Sequence, residues 1–338
     1  MVRFIRVATA AGLMAACMTA GLATAAGSKT VQVYDSFSKP GGYTIVDYSM
    51  KWANIYGPGE MASTGGDTRS FANGKFAVSA VPFTVGYDFS VFDHLKYIAI
   101  STQGFAAPVR GSITFSSVIQ AQTPGTQPGR VIQGTYIQSG KPYAQPTLEG
   151  QQAGAVMNMI DFSTGQLFDW FISGSKAFTL VERLPSSVTG NAQPGDPAYV
   201  GRDKMYTQIV DEVDVGPGPH HVAIKFTRKD AKGTVRFYLN GRLVSTVRNV
   251  GVPLDVQGKR YTGIYPSMGP GEPLAQKISG FAIGHGLFSL LDAFPFQHPE
   301  APELAVSIPV ANRLFGQGAR ATFDEFTVTT DPSEEDED

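Results

Sequence analysis

Two acidic side chains in this sequence could move protons, and a turn brings them together. Gly174-Ser175 separates two strand-like runs, Gln166–Ile172 and Ala177–Leu184. With that dipeptide as the turn, Phe171 pairs with Phe178, Asp169 with Leu180 and Leu167 with Glu182. Side chains alternate along a strand, so Asp169, Phe171, Phe178 and Glu182 share one face. Asp169 and Glu182 become diagonal neighbours, about 5–7 Å apart at their Cβ atoms. Carboxyl groups ~5–5.5 Å apart serve as nucleophile and acid/base in retaining glycoside hydrolysis. Phe171 and Phe178 would raise the acid's pKa by excluding water and would offer a sugar a stacking surface. A structural reading stands beside the catalytic one: Glu182 paired with a nearby arginine, and Asp169 capping a turn or accepting from backbone. A one-residue slip of the turn would put the acids on opposite faces.

Two histidines are further candidates for ligand binding. His94 lies between Asp93 and Lys96, as a general base, a partner for ligand hydroxyls, or a satisfied structural residue. His285 lies in Gly284-His285-Gly286, where glycines let backbone or ligand approach closely. Trp170 alternates onto the face opposite Asp169 and reads as core. Asp211-Glu212-Val213-Asp214 places Glu212 and Asp214 on one face, read as an exposed polar edge. The five histidines show no H-E-x-x-H or other paired ligand spacing, so no metal site is expected from them. Nucleophile-elbow, phosphate-loop and dinucleotide signatures are missing as well.

Short strand candidates with turn signals between them must position these groups. They run from Val31–Val33 through Phe76–Val81, Tyr97–Ser101, Ser112–Gln120, Ala155–Ile160, the two runs above, Tyr206–Val215, His221–Arg228, Thr234–Leu239 and Arg242–Asn249 to Ala321–Thr329. Asn240-Gly241 is the strongest turn signal and predicts Leu239 opposite Arg242, Phe237 opposite Val244 and Val235 opposite Thr246. Asp161–Gly165 predicts another hairpin, and Phe288–Ala293 one short helical turn. The pattern predicts an all-β, two-sheet antiparallel jelly-roll sandwich.

Composition agrees. The 338 residues are 42% hydrophobic and 17% charged, with 38 glycines and a formal net charge of -2. That balance lacks the basic face of a nucleic-acid binder. Arg3 and Arg6, the apolar run from Val7 to Leu22 and Ala23-Thr24-Ala25 read as a signal peptide over residues 1–25. No run is long and apolar enough for a transmembrane segment. Met14-Ala15-Ala16-Cys17 also has the look of a lipobox, so a lipid anchor through Cys17 is the alternative. Cys17 is the only cysteine, so a chain cut after Ala25 has no disulfide. A single sandwich domain is expected over 26–330, and an acidic solvated tail over 331–338.

The stretches His220-His221-Val222-Ala223, Gly233–Gly241 and Phe323-Asp324-Glu325-Phe326 resemble the concanavalin A-like sandwich of laminin G modules and glucanases, with Pro219 where Trp is usual. A closer resemblance is to an uncharacterised family of exported or cluster-associated bacterial and fungal proteins of that predicted fold. It rests on Asp93–Lys96, Asp161–Gly165, Phe168–Phe171, Val181–Pro185, Gly286–Asp292 and Arg313–Gly318. The resemblance implies a concanavalin A-like fold and no particular activity. The E-x-D-x-E strand of the carbohydrate-cleaving relatives has no full match here. Similar proteins hold structural calcium near their termini, where Asp35 and Asp324 fall. No other cofactor is implied.

These observations lead to an exported glycan-binding or glycan-modifying protein. The alternatives are a cofactor-independent enzyme for a small apolar metabolite and a non-catalytic envelope or adhesion module. Export makes a first prediction. Mass spectrometry of the mature protein should find its N-terminus at or near Ala26; a lipid-modified Cys17 would contradict this.

Overall fold

The structure, a computed structural model, describes residues 28–56, 67–84, 94–148, 150–264, 267–290 and 305–333. The expected signal segment, Cys17, Asp93 and the tail beyond Ser333 lie outside the described residues.

In chain order the strands begin with β1 (Thr30–Asp35), β2 (Trp52–Tyr56), β3 (Thr68–Ala72), β4 (Lys75–Ala80), β5 (Leu95–Ser101), β6 (Phe105–Ala106) and β7 (Gly111–Gln122). Then come β8 (Val131–Tyr136), β9 (Pro142–Pro146), β10 (Gly154–Asp161), β11 (Gln166–Ile172), β12 (Lys176–Arg183), β13 (Tyr206–Asp214) and β14 (His220–Lys229). Last are β15 (Lys232–Leu239), β16 (Arg242–Arg248), β17 (Gly263–Ile264), β18 (Gly280–Phe288), β19 (Val306–Ser307) and β20 (Ala319–Asp331). Short helices α1 (Ile45–Lys51), α2 (Ser186–Thr189) and α3 (Val310–Arg313) lie between strands.

Two large antiparallel sheets face each other. The first runs β16-β15-β14-β7-β20-β4-β3, with β1 also on β20; the second runs β17-β13-β12-β11-β10-β18-β5-β2, with β6 on β18. This is the jelly-roll sandwich that the strand pattern predicts. A small third sheet orders β19-β8-β9. The inner faces meet in one apolar core that includes Phe115, Met157, Phe168, Trp170, Phe226, Phe237 and Phe323. Trp170 is on the expected inner face and donates its indole N–H to the Ala223 carbonyl at 3.0 Å.

The second sheet buries its outer face too. Leu95, Ile98, Ile100, Val156, Ile160, Leu167, Phe171, Phe178, Leu180, Ile209, Phe288 and Leu290 form a separate apolar layer there, with Leu148, Phe162 and Leu184 packed against it. Strands β10 and β11 are therefore buried along both faces. This is why their sequences read as near-continuous apolar runs.

Several local expectations change. Asn240 and Gly241 do take positive φ, 51° and 78°, and Leu239 faces Arg242. A bulge between Phe237 and Tyr238 then moves the register by one residue. Phe237 pairs with Ser245 and Val235 with Val247, instead of Val244 and Thr246. Phe288, expected to open a helical turn, is the last residue of β18, where it pairs with Leu95; residues 291–293 lie outside the described residues. Asp331, expected in the solvated tail, is the last residue of β20 and pairs with Ser112.

Asp35 joins the two sheets. Its buried carboxylate accepts from the Phe37 amide at 3.0 Å, Tyr43 Oη at 2.6 Å, Trp52 Nε1 at 2.8 Å and Lys51 Nζ at 3.3 Å. It thus connects β1, in the first sheet, to α1 and β2, at the edge of the second. Asp324, the other residue considered for calcium, is 3.8 Å from Lys75 Nζ. Among the described residues no group of three or more His, Cys, Asp or Glu side chains could hold a metal ion. Asp35→Ala would strip three largely buried donors of their acceptor. It should cost about 3 kcal/mol or more in urea unfolding, and a loss below about 1 kcal/mol would contradict this role.

Candidate functional site

The β11–β12 hairpin has the register that the turn predicts. Leu167 faces Glu182, Asp169 faces Leu180 and Phe171 faces Phe178. All lie on the outer face of the second sheet, inside its apolar layer. Asp169 is 4% exposed and Glu182 8%. The Phe171 and Phe178 rings lie beside them, their centroids 6.0 Å apart.

The acids are not alone in their row. Asn158 stands opposite Asp169 on β10, and Thr207 opposite Glu182 on β13. Asn158 Nδ2 donates to Asp169 Oδ1, and Thr207 Oγ1 donates to Glu182 Oε2 at 3.1 Å. A bulge in the β12–β13 pairing, between Thr179 and Leu180, puts Thr207 on this face. Neither residue was among the expected site residues. Asn158 could have been found by carrying the pairing through the Asp161–Gly165 turn, because Asp161 faces Gln166 in a hairpin without slips. Thr207 could not, because a bulge leaves no comparable mark in the sequence.

The two carboxyl groups are buried diagonal neighbours on adjacent strands, and the donors that reach them, Asn158 and Thr207, are both neutral. Two like charges so placed disfavour each other, which favours the protonated form of one acid. Burial, then the adjacent Glu182 charge and hydrogen bond, hold Asp169 well above the usual carboxylate range. Burial also raises Glu182, against the lowering effect of its bonds to Asp169 and Thr207. Among the described residues no arginine pairs with Glu182: Arg183, one residue on, turns to the other face and pairs with Glu272 at 2.7 Å.

The two histidines are placed elsewhere. His94, half-buried, is at the margin of the outer layer, its ring 5.6 Å from that of Phe288. His285 points into the core between the sheets, fully buried, and shares a 2.8 Å hydrogen bond through Nε2 with Tyr48 Oη. Tyr48 Oη is in turn 2.6 Å from Tyr97 Oη. Trp52, Phe76, Phe323 and Phe326 surround the imidazole, and burial pushes its pKa down to about 3. Its flanking glycines do not open it to a ligand. A Cβ on Gly284 would come within 2.7 Å of Asn158 Oδ1, and one on Gly286 within 2.1 Å of the Tyr97 carbonyl. They permit close strand packing on the outer face. The Asp211–Asp214 run is a polar edge: Lys176 bridges Glu212 at 3.0 Å and Asp214 at 2.6 Å.

A family model described as a family of unknown function, DUF6081, matches residues 62–332. The chain belongs to that family. Among solved structures it is similar to an endo-1,3-β-glucanase from Streptomyces sioyaensis, at 12% identity and TM-score 0.43, covering 89% of this chain and 95% of that one. It is also similar to β-agarase B from Zobellia galactanivorans, at 12% identity and TM-score 0.44, covering 92% and 97%. A legume lectin-like domain from Entamoeba histolytica is similar at 9% identity and TM-score 0.37, covering 89% and 99%. The two-sheet jelly roll itself is read from the strand order. No curated protein matches the sequence.

The raised Asp169 pKa makes stability depend on pH. Asp169 has a folded pKa above its unfolded value. Its contribution is therefore complete at acid pH, below the ordinary 3.8, and is lost as the pH rises toward the folded value. Asparagine imitates the protonated acid at every pH. Asp169→Asn should therefore gain stability relative to wild type between about pH 5 and about pH 8, followed by urea unfolding. A constant difference across that range would contradict the raised pKa.

Proposed function

We propose that this is an exported glycan-binding or glycan-modifying protein whose working centre is the Asp169–Glu182 pair. The observation that carries the reading is a pair of buried carboxyl groups set diagonally on a sheet face beside two phenyl rings, with burial pushing both toward the protonated form. Protonating a glycosidic oxygen, or moving a proton beside a sugar carbonyl, needs an acid that still holds its proton near neutral pH. Asp169 is that acid. Glu182, diagonal to it on the next strand, is the base that retrieves the proton. The sequence of residues 1–25 supports export, with the lipoprotein route through Cys17 as its alternative. Among the described residues no helix is long and apolar enough to cross a membrane.

A second reading has its own observation. The pair lies within a layer of aliphatic and aromatic side chains, an environment that suits a small apolar metabolite. Both readings assign the proton to the same residues and differ only in the ligand.

A thermal-shift screen of the mature protein against neutral and acidic oligosaccharides and small lipophiles separates them. Stabilisation by oligosaccharides is expected. Stabilisation by lipophiles alone would favour the second reading. Glu182→Gln should then abolish turnover of the bound class while leaving binding and melting nearly unchanged, since Gln keeps the shape but transfers no proton. Full activity in that variant would remove the pair from the chemistry. A loss of about 3–5 kcal/mol without a specific loss of turnover would make the pair structural.

A further inference from the structure

The row Asn158–Asp169–Glu182–Thr207 crosses four strands, β10 to β13, and has a donor at each end. Asn158 Nδ2 donates to one acid and Thr207 Oγ1 to the other. Each end stabilises charge on its own neighbour, and the two buried acids stand diagonal to each other between them. We infer that Asn158 and Thr207 are positioning residues that hold one proton between Asp169 and Glu182, and that this face admits a neutral, hydroxyl-bearing ligand in preference to an anionic one. The choice of ligand rests on the glycan reading above; the placement of the proton does not.

The charge on the face argues for the ligand class. Along β10 to β13 the outward charged side chains are Asp169, Glu182, Lys176, Glu212 and Asp214. Lys176 is the one cation among them, and Glu212 and Asp214 both engage it. Arg183 faces the other way, bound to Glu272. His94 is at the far margin, beside Phe288. With one proton on the acid pair the face stays net negative, so a carboxylate or sulfate ester placed there would be repelled in a poorly screened setting. A ligand hydroxyl can both donate and accept, which suits a row containing acid, carboxylate and amide. Asn158 Oδ1 accepts no hydrogen bond within the described residues, and so has acceptor capacity in reserve.

Two measurements on the full mature chain test this. Carboxyl 13C NMR should find one acid of the pair still protonated at pH 7. Thr207→Val should raise the Glu182 titration and Asn158→Leu that of Asp169, each by about one pH unit, because each loses a donor to the charged form. Thr207→Ser should restore the wild-type curve, which packing alone would not predict. Two ionised carboxyls at pH 7, or titrations unmoved by Thr207→Val, would overturn the proton placement even if Asn158→Leu fails to fold. Calorimetry with laminarihexaose and with a mannuronate hexamer tests the ligand. We expect the neutral sugar to bind at least about ten-fold more tightly. Equal or reversed affinity overturns the selectivity. Binding of neither sugar overturns the selectivity and the glycan reading together, while the titration alone decides the proton.

Discussion

A carboxylate cannot be buried among aliphatic side chains without a counter-charge, a proton or a set of donors. That constraint governs the outer face of the second sheet. Asp169 and Glu182 meet it with pKa values pushed up by burial and with one flanking donor each. Much of the surrounding arrangement follows. The hairpin register must place the acids diagonally, β10 must bring an amide to one side, and β13 must bring a hydroxyl to the other. The apolar layer strengthens these contacts by excluding water, and it makes any missing member of the row costly.

The interior between the sheets treats its polar groups differently. Asp35 is saturated by four donors and ties strand to helix. His285 is held neutral in an aromatic enclosure with one tyrosine partner at Nε2. Both are fixed by packing on every side. The two layers thus separate a mechanical use of polar groups, inside, from a titrating one, outside.

Sequence reading reached the hairpins best, because Gly174-Ser175 and Asn240-Gly241 mark turns by local chemistry and alternation does the rest. It therefore reached the diagonal placement of Asp169 and Glu182. It did not reach their burial, which depends on a cover over the sheet that strand periodicity does not reveal. It missed β18 as well. Glycines at 280, 284 and 286 mask that strand, yet they are there because neighbouring backbone and side chains leave no room for a Cβ. The glycines beside His285 read as room for a ligand, whereas the residue is on a central strand facing the core. The same limit applies to the β15–β16 register, where the turn was legible and the bulge two residues away was not.

The bulge between β12 and β13 works as a phase shifter. Before it, odd-numbered residues of β13, Thr207 and Ile209, look outward; beyond it, even-numbered Glu212 and Asp214 do. Plain alternation would have sent one of these pairs inward. Chain length, and not only residue identity, is therefore under constraint in this strand. Deleting a single residue near Val210 would change no member of the proton-bearing row, yet it would put one half of the strand out of phase. Either Thr207 would turn away from Glu182, or two acidic side chains would be driven toward the hydrophobic interior.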